Sequence, residues 1–370
     1  MASRTTHRLI QDSDVLHAVC DDLSSHAILA IDTEFVREST YYPQFCLLQI
    51  ASPSETYCID PLSMLAYDLF RSLLSNDGIT FLLHSARQDL ELLWQQLGVL
   101  PSKILDSQIA AGLAGFHEQI GYAPLIDTLL GITLSKEQTR TDWSRRPLTA
   151  DQLHYAADDV TYLIQAYAPL QERLSRLARM DWWQEDSSSL LTPSLYETSN
   201  EDAWKKVKGL LDLEPRALAR GIQIAHWREE AAKSLDRPRT WILRDETLVL
   251  WAEHMNIPAS GYRMREVSQR DQALQFQRLH ETVASPPPLE LSERISLLAR
   301  SKMDPNRKAM LKSLTRVVHD IAATLELTPS VLASRKDLES FIDHPERSSL
   351  AQGWRKDILN QALIETLRKT

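Results

Sequence analysis

The chain of 370 residues is too long for one ordinary core and, at roughly 150 residues per domain, predicts two or three domains. With 43% hydrophobic residues, 41 Lys and Arg against 50 Asp and Glu, and a net charge of −9, it has the profile of a soluble globular protein. That profile excludes wholesale disorder, a collagen-like repeat and a disulfide-built mini-domain, and the acidic total argues against nucleic acid, whose phosphates usually meet a basic surface.

The first part, residues 1–183, carries Arg4, Arg8, Asp12, Asp14, Asp21 and Asp22 early, with no apolar stretch of signal-peptide length. No run approaches the ~20 apolar residues needed to cross a bilayer. Cys20, Cys46 and Cys58 form no Cys-x-x-Cys pair and are expected as small buried hydrophobes in a reducing compartment. A cytoplasmic protein without a membrane partner is expected. Ala27–Val36, Phe45–Ala51, Tyr57–Ile59 and Ile79–His84 are apolar runs of strand length. Helical patterns cover 64–75, 86–97, 107–115, 122–130 and 150–177. The first three strands follow closely enough for antiparallel hairpins, and the later alternation calls for crossover helices, so a mixed α/β sheet is predicted.

Two stretches read as linkers: Gln184 to Asn200, rich in Ser, Thr and acid, and Thr282 to Leu289, with three prolines. They leave helical units at 200–281 and 290–370. Leu235 to Leu248 (LDRPRTWILRDETL) and Leu325 to Leu338 (LELTPSVLASRKDL) align with one gap at a period of about 90 residues, which predicts tandem copies of one small helical bundle. The charge is unevenly divided. Residues 1–200 hold 13 basic and 26 acidic residues, a balance of −13, and residues 201–370 hold 28 and 24, a balance of +4. The total of −9 therefore averages unlike parts, and the case it makes against nucleic acid fails in that form.

Some of the N-terminal acid forms a pattern. Asp32 and Glu34 are two apart on the strand AILAIDTEFV, so both point to one face. Such a pair is costly unless something positive lies between the carboxylates. Asp89 is in the first turn of the helix that follows HSARQ, where Ser85 and Gln88 have capping-box spacing. On the long helix over LTADQLHYAADDVTYL, Tyr155 and Asp159 are i and i+4 and share a face, with Asp158 rotated ~100° away. Four carboxylates from two strand positions and two helices suit hard cations such as Mg²⁺ or Mn²⁺, and two such ions can activate a water and steady the leaving oxygen of a phosphodiester. Asp106 reads as a helix N-cap, and His84 and His154 as structural residues.

Asp32-Thr-Glu34, Asp89 after HSARQ and Tyr155-x-x-x-Asp159 resemble the three motifs of the DEDD exonucleases, in the branch with tyrosine in the third motif. IDTEFVRESTYYPQ, RTDWSRRPL and YAADDVTYL are similar to the bacterial ribonuclease D family, and the helical units resemble its HRDC modules, the second being the more divergent. The resemblance implies a ribonuclease H-like exonuclease domain that hydrolyses RNA from its 3′ end to 5′-mononucleotides and trims tRNA precursors. It also implies that Asp32, Glu34 and Asp159 hold the nucleophile-side metal, that Asp32 bridges to a second ion, that Asp89 acts mainly through that ion's water shell, and that Tyr155 orients the attacking water.

Around the site, Tyr41, Tyr42 and Gln44 in TYYPQ, and Arg140, Trp143 and Arg146 in KEQTRTDWSRRP, suit the walls of a single-strand channel, since rings stack on bases and arginines pair with phosphates. The alternative is a loop whose arginines neutralise neighbouring acids. Arg300 to Arg316, with six basic residues and one acid, is a plausible RNA backbone contact or a solvated helix face; Trp227, Arg237, Arg239 and Trp241 are equally ambiguous. The leading reading is a monomeric, metal-dependent 3′-to-5′ exoribonuclease acting on single-stranded RNA ends. A DNA 3′–5′ exonuclease and a catalytically inactive nucleic-acid-binding adaptor are the alternatives.

Overall fold

A computed structural model describes residues 6–64, 67–134, 141–197, 200–254, 262–284 and 305–369. Six strands form one sheet: β1 Arg8–Ile10, β2 Ile28–Val36, β3 Gln44–Ala51, β4 Thr56–Ile59, β5 Thr80–Leu83 and β6 Ile104–Asp106, in the order β1-β4-β3-β2-β5-β6. β2, β3 and β4 make the expected antiparallel hairpins, while β2–β5, β5–β6 and β1–β4 are parallel. The sheet is mixed as the spacing of the runs required. β1 and β6, three residues each, are too short to show a period and were missed. So was the helix α1 (Ser13–Leu23), capped by Asp12 and buried through Leu16, Val19, Cys20 and Leu23.

Helices cover both faces of the sheet. α1, α2 (Tyr67–Leu74) and α3 (Arg87–Leu97) pack on the face formed by Leu29, Ile31, Leu48, Ile50 and Phe81. α4 (Ser107–Leu113), α5 (Tyr122–Leu130) and α6 (Ala150–Arg176) follow. α6 lies on the other face, its Ala156, Ala157, Val160 and Leu163 against Ala30, Leu47, Ala51 and Cys58. Small residues on both surfaces bring this helix close to β2. Thr149 and Gln152 form a reciprocal capping box at its start. All three cysteines are buried free thiols, and burial pushes their pKa values to about 11 for Cys20 and Cys46 and about 12 for Cys58.

The chain groups into two compact units: residues 1–36, 44–196 and 309–370 form one, and 37–43 with 197–308 the other. In the first, Gln184 to Tyr196 is not the linker its composition suggested. α7 (Met180–Ser189) runs through it, with Trp183 and Ser187 fully buried. Its acids are used: Asp186 pairs with Arg355 at 2.5 Å and accepts from the Trp354 indole at 3.0 Å. Trp182 stacks on Trp354 at 4.2 Å, and Gly353, at φ +52°, passes so close to Glu185 that any Cβ would collide with that carboxylate.

The two helical repeats share one local structure. In the first, α8 (Pro215–Leu235) ends in left-handed Asp236, followed by α9 (Arg239–Ile242) and α10 (Asp245–His254), and α11 (Gln269–Ala284) closes the bundle. In the second, α12 (Pro305–Thr324) precedes left-handed Glu326, then α13 (Pro329–Leu332) and α14 (Arg335–Asp343). Asp236 and Glu326 are 326 − 236 = 90 residues apart, and so are the extended residues Leu243 and Ala333 that end the short helices. The repeat therefore runs without the gap that the residue types alone suggested. Of Thr282 to Leu289, residues 282–284 end α11 and the remainder lies outside the described residues.

Candidate active site

β5 stops at Leu83 and pairs with β2 only as far as Ala30, so β2 runs beyond its parallel neighbour. Over that open stretch Asp32 and Glu34 face α6, where Asp159 meets them: one carboxylate oxygen from each of the three lies within 4.8 Å of the others. Thr33 points the opposite way, toward α3, and its hydroxyl donates to Asp89 at 2.5 Å. A cavity of about 670 Å³ opens here, lined by all four acids together with Tyr155, Trp143 and Tyr122. Tyr155, one turn before Asp159 on α6, hydrogen-bonds to its carboxylate. The five residues singled out in the sequence thus share one cavity.

Burial and mutual repulsion push these acids up. Asp32 is raised well above the carboxylate range, first by desolvation and then by Asp89, Asp159 and Glu34. Glu34 is raised to about 9 by burial and then by Asp159 and Asp89. Asp159 reaches about 8 through burial and Asp158, with the Tyr155 hydrogen bond opposing. Asp89 reaches about 6, where burial outweighs the Thr33 hydroxyl. Hard, oxygen-only donors at this spacing fit a divalent cation of the Mg²⁺ or Mn²⁺ class.

Residues 7–175 match the model of a 3′–5′ exonuclease family. A ribonuclease D from Nitrobacter hamburgensis is 32% identical over 362 residues, covering 96% of this chain and 94% of that protein. The chain belongs to the ribonuclease D family. A second ribonuclease D, from Bartonella henselae, is 34% identical over 98% of this chain and 90% of its own length. The crystal structure of Escherichia coli RNase D, an exoribonuclease involved in structured RNA processing, matches over 99% of both chains with a TM-score of 0.83 at 27% identity. The chain is a 3′–5′ exoribonuclease, a hydrolase whose ribonuclease H-like mixed sheet is followed by a helical C-terminal region.

Other residues around this site depart from simple expectation. The helix after HSARQ has no capping box: α3 is preceded by Ala86 with no side-chain cap, and Ser85 sits at φ 58°. The Asp106 carboxylate takes over that task. It accepts from the amides of Ser85 at 3.1 Å and Ala86 at 2.8 Å while capping α4 through Gln108 and Ile109. Asp106 therefore fixes the turn that delivers Asp89, a role hidden in the sequence because its partners are 20 residues upstream. His84 bonds the Ser107 hydroxyl at 2.9 Å, and Tyr122 donates to the Asp158 carbonyl at 2.8 Å. Thr33 and Tyr122 carried no signal on their own. Asp158 is not among the cavity-lining residues.

The outer residues are placed variously. Trp143 is only 3% exposed and forms a wall beside Tyr155, with ring centroids 6.2 Å apart. Arg146 is held internally: it clasps Asp60 through two bonds of 2.7 Å and donates to the carbonyls of Cys46, Trp143 and Arg145. Burial alone would raise Asp60, but the bonds from Arg146 and Gln11 hold it below its ordinary value. Arg146→Ala strands that fully buried carboxylate, so a loss of about 3–5 kcal/mol in denaturant-unfolding stability is expected; a loss under 1 kcal/mol refutes the clasp. Gln44, at the start of β3, and Tyr42 are exposed, whereas Arg140 lies outside the described residues.

Tyr41 is buried in the other unit. Its hydroxyl bonds Glu229 and Arg239, its amide and that of Tyr42 donate to Asp236, and the Arg239 guanidinium lies over its ring at 4.8 Å. Its ring is thus committed to the core of the first helical module, where Trp227 is also buried, and Arg239 is spent on the Glu229 ion pair. Burial would raise Glu229, yet the Arg239 and Tyr41 bonds bring it below its ordinary value.

Proposed function

We propose that the chain shortens single-stranded RNA from its 3′ end, tRNA precursors included, releasing 5′-mononucleotides with the help of two Mg²⁺ or Mn²⁺ ions. The observation that carries this reading is the carboxylate trio of Asp32, Glu34 and Asp159, with the Tyr155 hydroxyl bonded to the last of them. Asp32, Glu34, Asp89 and Asp159 would hold the cations, and Asp89, restrained by Thr33, lies outside the tightest group. When bound, the ions supply the Lewis acidity that acidifies water and steadies a departing oxygen. Tyr155 directs its own proton to Asp159, leaving its phenolic oxygen to accept from the attacking water and so orient it.

Several features support RNA as partner. Tyr42 and Gln44 are exposed and suited to base contact, and Trp143 bounds the cavity. On α12, Lys308, Lys312 and Arg316 follow at four-residue spacing, all exposed, as a backbone contact requires. Lys312→Glu with Arg316→Glu is expected to raise KM for RNA about 3–10-fold and to flatten its salt dependence, with kcat retained; an unchanged salt slope removes this helix from the interface. We place the working protein in the cytoplasm as a monomer, with an exonuclease domain over 1–183 and HRDC-like modules over 200–281 and 290–370. No helix among the described residues is long and apolar enough to cross a membrane.

The test is direct. 5′-labelled single-stranded RNA and matched DNA are incubated with Mg²⁺ or Mn²⁺, with chelator, and with the Asp32→Asn variant. Stepwise shortening of RNA that vanishes in both controls is expected. Shortening of DNA alone, or tight RNA binding without shortening, overturns the reading.

A further inference from the structure

We propose that Gln49 is a positioning residue for the carboxylate site: its side-chain amide is the donor that holds Asp32 when the cations are bound. Gln49 is in the middle of β3 with none of its surface exposed, and neither its Oε1 nor its Nε2 has a hydrogen-bond partner among the described residues. A buried amide without partners is costly, and an apolar residue of the same size would avoid the cost. Its place in the sheet identifies what the amide is near. Gln49 is directly opposite Asp32 on β2 and directly opposite Cys58 on β4, so the three form one row across the sheet.

Opposed residues on antiparallel strands have Cβ atoms about 4.5–5.5 Å apart, a gap that a glutamine side chain spans. The row is on the face that α6 covers, because, two residues to either side of Gln49, Leu47 packs with Ala156 and Ala157, and Ala51 with Val160. Asp159 comes from that same helix. The amide is therefore enclosed between sheet and helix, beside the acids and away from water.

This placement gives the idle amide a purpose. One carboxylate oxygen from each of Asp32, Glu34 and Asp159 lies within 4.8 Å of the others, so Asp32 is held in a crowded place. A metal-binding carboxylate keeps lone pairs that the cations do not take, and Nε2–H of Gln49, directly across the strand pair, is a donor that satisfies one of them without adding charge. The inference rests on the two-cation reading above.

Gln49→Leu and Gln49→Met keep the volume and remove the amide. Three quantities are read in the full-length protein: melting temperature in chelator, Mn²⁺ affinity by calorimetric titration, and kcat and KM for RNA. Both variants are expected to melt at or above the parent temperature in chelator, to bind Mn²⁺ about 10–100-fold more weakly, and to keep KM at saturating metal. Variants that bind Mn²⁺ as the parent does overturn the role of Gln49 alone; a parent that binds no Mn²⁺ overturns the two-cation reading with it. Should both variants misfold, the side-chain amide resonances of Gln49 in the parent decide: a shift on adding Mg²⁺ is expected, and unmoved resonances overturn the proposal.

Discussion

Asp32→Asn is expected to slow RNA shortening by about 10³-fold or more while raising the melting temperature of the protein in chelator. The first effect follows from the site: Asp32 shares its carboxylate neighbourhood with Glu34, Asp89 and Asp159, and an amide in its place removes a charge that no neighbour can replace. The second follows from the raised pKa values. An unfolded carboxyl titrates near ~4, whereas Asp159 holds its proton to about 8 and Glu34 to about 9. Between those limits the native state binds more protons than the unfolded chain, so metal-free stability falls as pH rises from about 4 to about 9. Replacing one of the mutually repelling acids relieves that loss, by about 1–2 kcal/mol near pH 8. Mn²⁺ should flatten the pH slope of the parent and have little effect on the variant. Thermal melts at pH 5, 7 and 9, with chelator and with Mn²⁺, check this; a parent whose metal-free stability rises across the range refutes the account.

The carboxylate site was legible because the residues that form it obey local periodicities. Asp32 and Glu34 share a face by strand alternation, and Tyr155 and Asp159 by helical spacing, so each pair carries its geometry in the sequence. Their meeting depends on a long-range fact, the early end of β5, and only the family resemblance pointed to it. The residues that hold the site in place were harder to see. Asp106 reads locally as an N-cap and serves as one, yet the amides of Ser85 and Ala86 that it also binds are set by the pairing of β5 with β6. The capping box expected at Ser85 failed for the same reason, since the Ser85 amide that Gln88 would have satisfied is already bonded to Asp106.

Composition misled where surface and core share residue types. Gln184 to Tyr196 is polar enough to suggest a linker, but its acids are matched by Trp354 and Arg355 some 170 residues on. Tyr41 and Arg146 have the chemistry of RNA contacts, and in the fold that chemistry is turned inward on Glu229 and Asp60. Net charge was the weakest guide. The four acids of the proposed cation site add to the negative count, and bound cations would turn that same place into one for phosphate.

Tyr155→Phe is the sharper test of how the site works, with an expected fall in kcat of about 10²–10³-fold that persists at saturating Mn²⁺, little change in KM, and a modest loss of Mn²⁺ affinity. The ring would stay where it is, packed beside Trp143, so the cavity wall and the helix are preserved. What is lost is one hydroxyl: its proton stabilises the Asp159 carboxylate, and in the proposed function its oxygen would receive a hydrogen from the attacking water. The first loss alone would push the Asp159 pKa higher still and weaken metal binding, an effect that extra Mn²⁺ would reverse. The second cannot be rescued by metal. A variant restored to parent activity by Mn²⁺ would therefore assign Tyr155 to the support of Asp159, whereas a deficit that persists at saturating Mn²⁺ is the outcome expected of a residue that orients water.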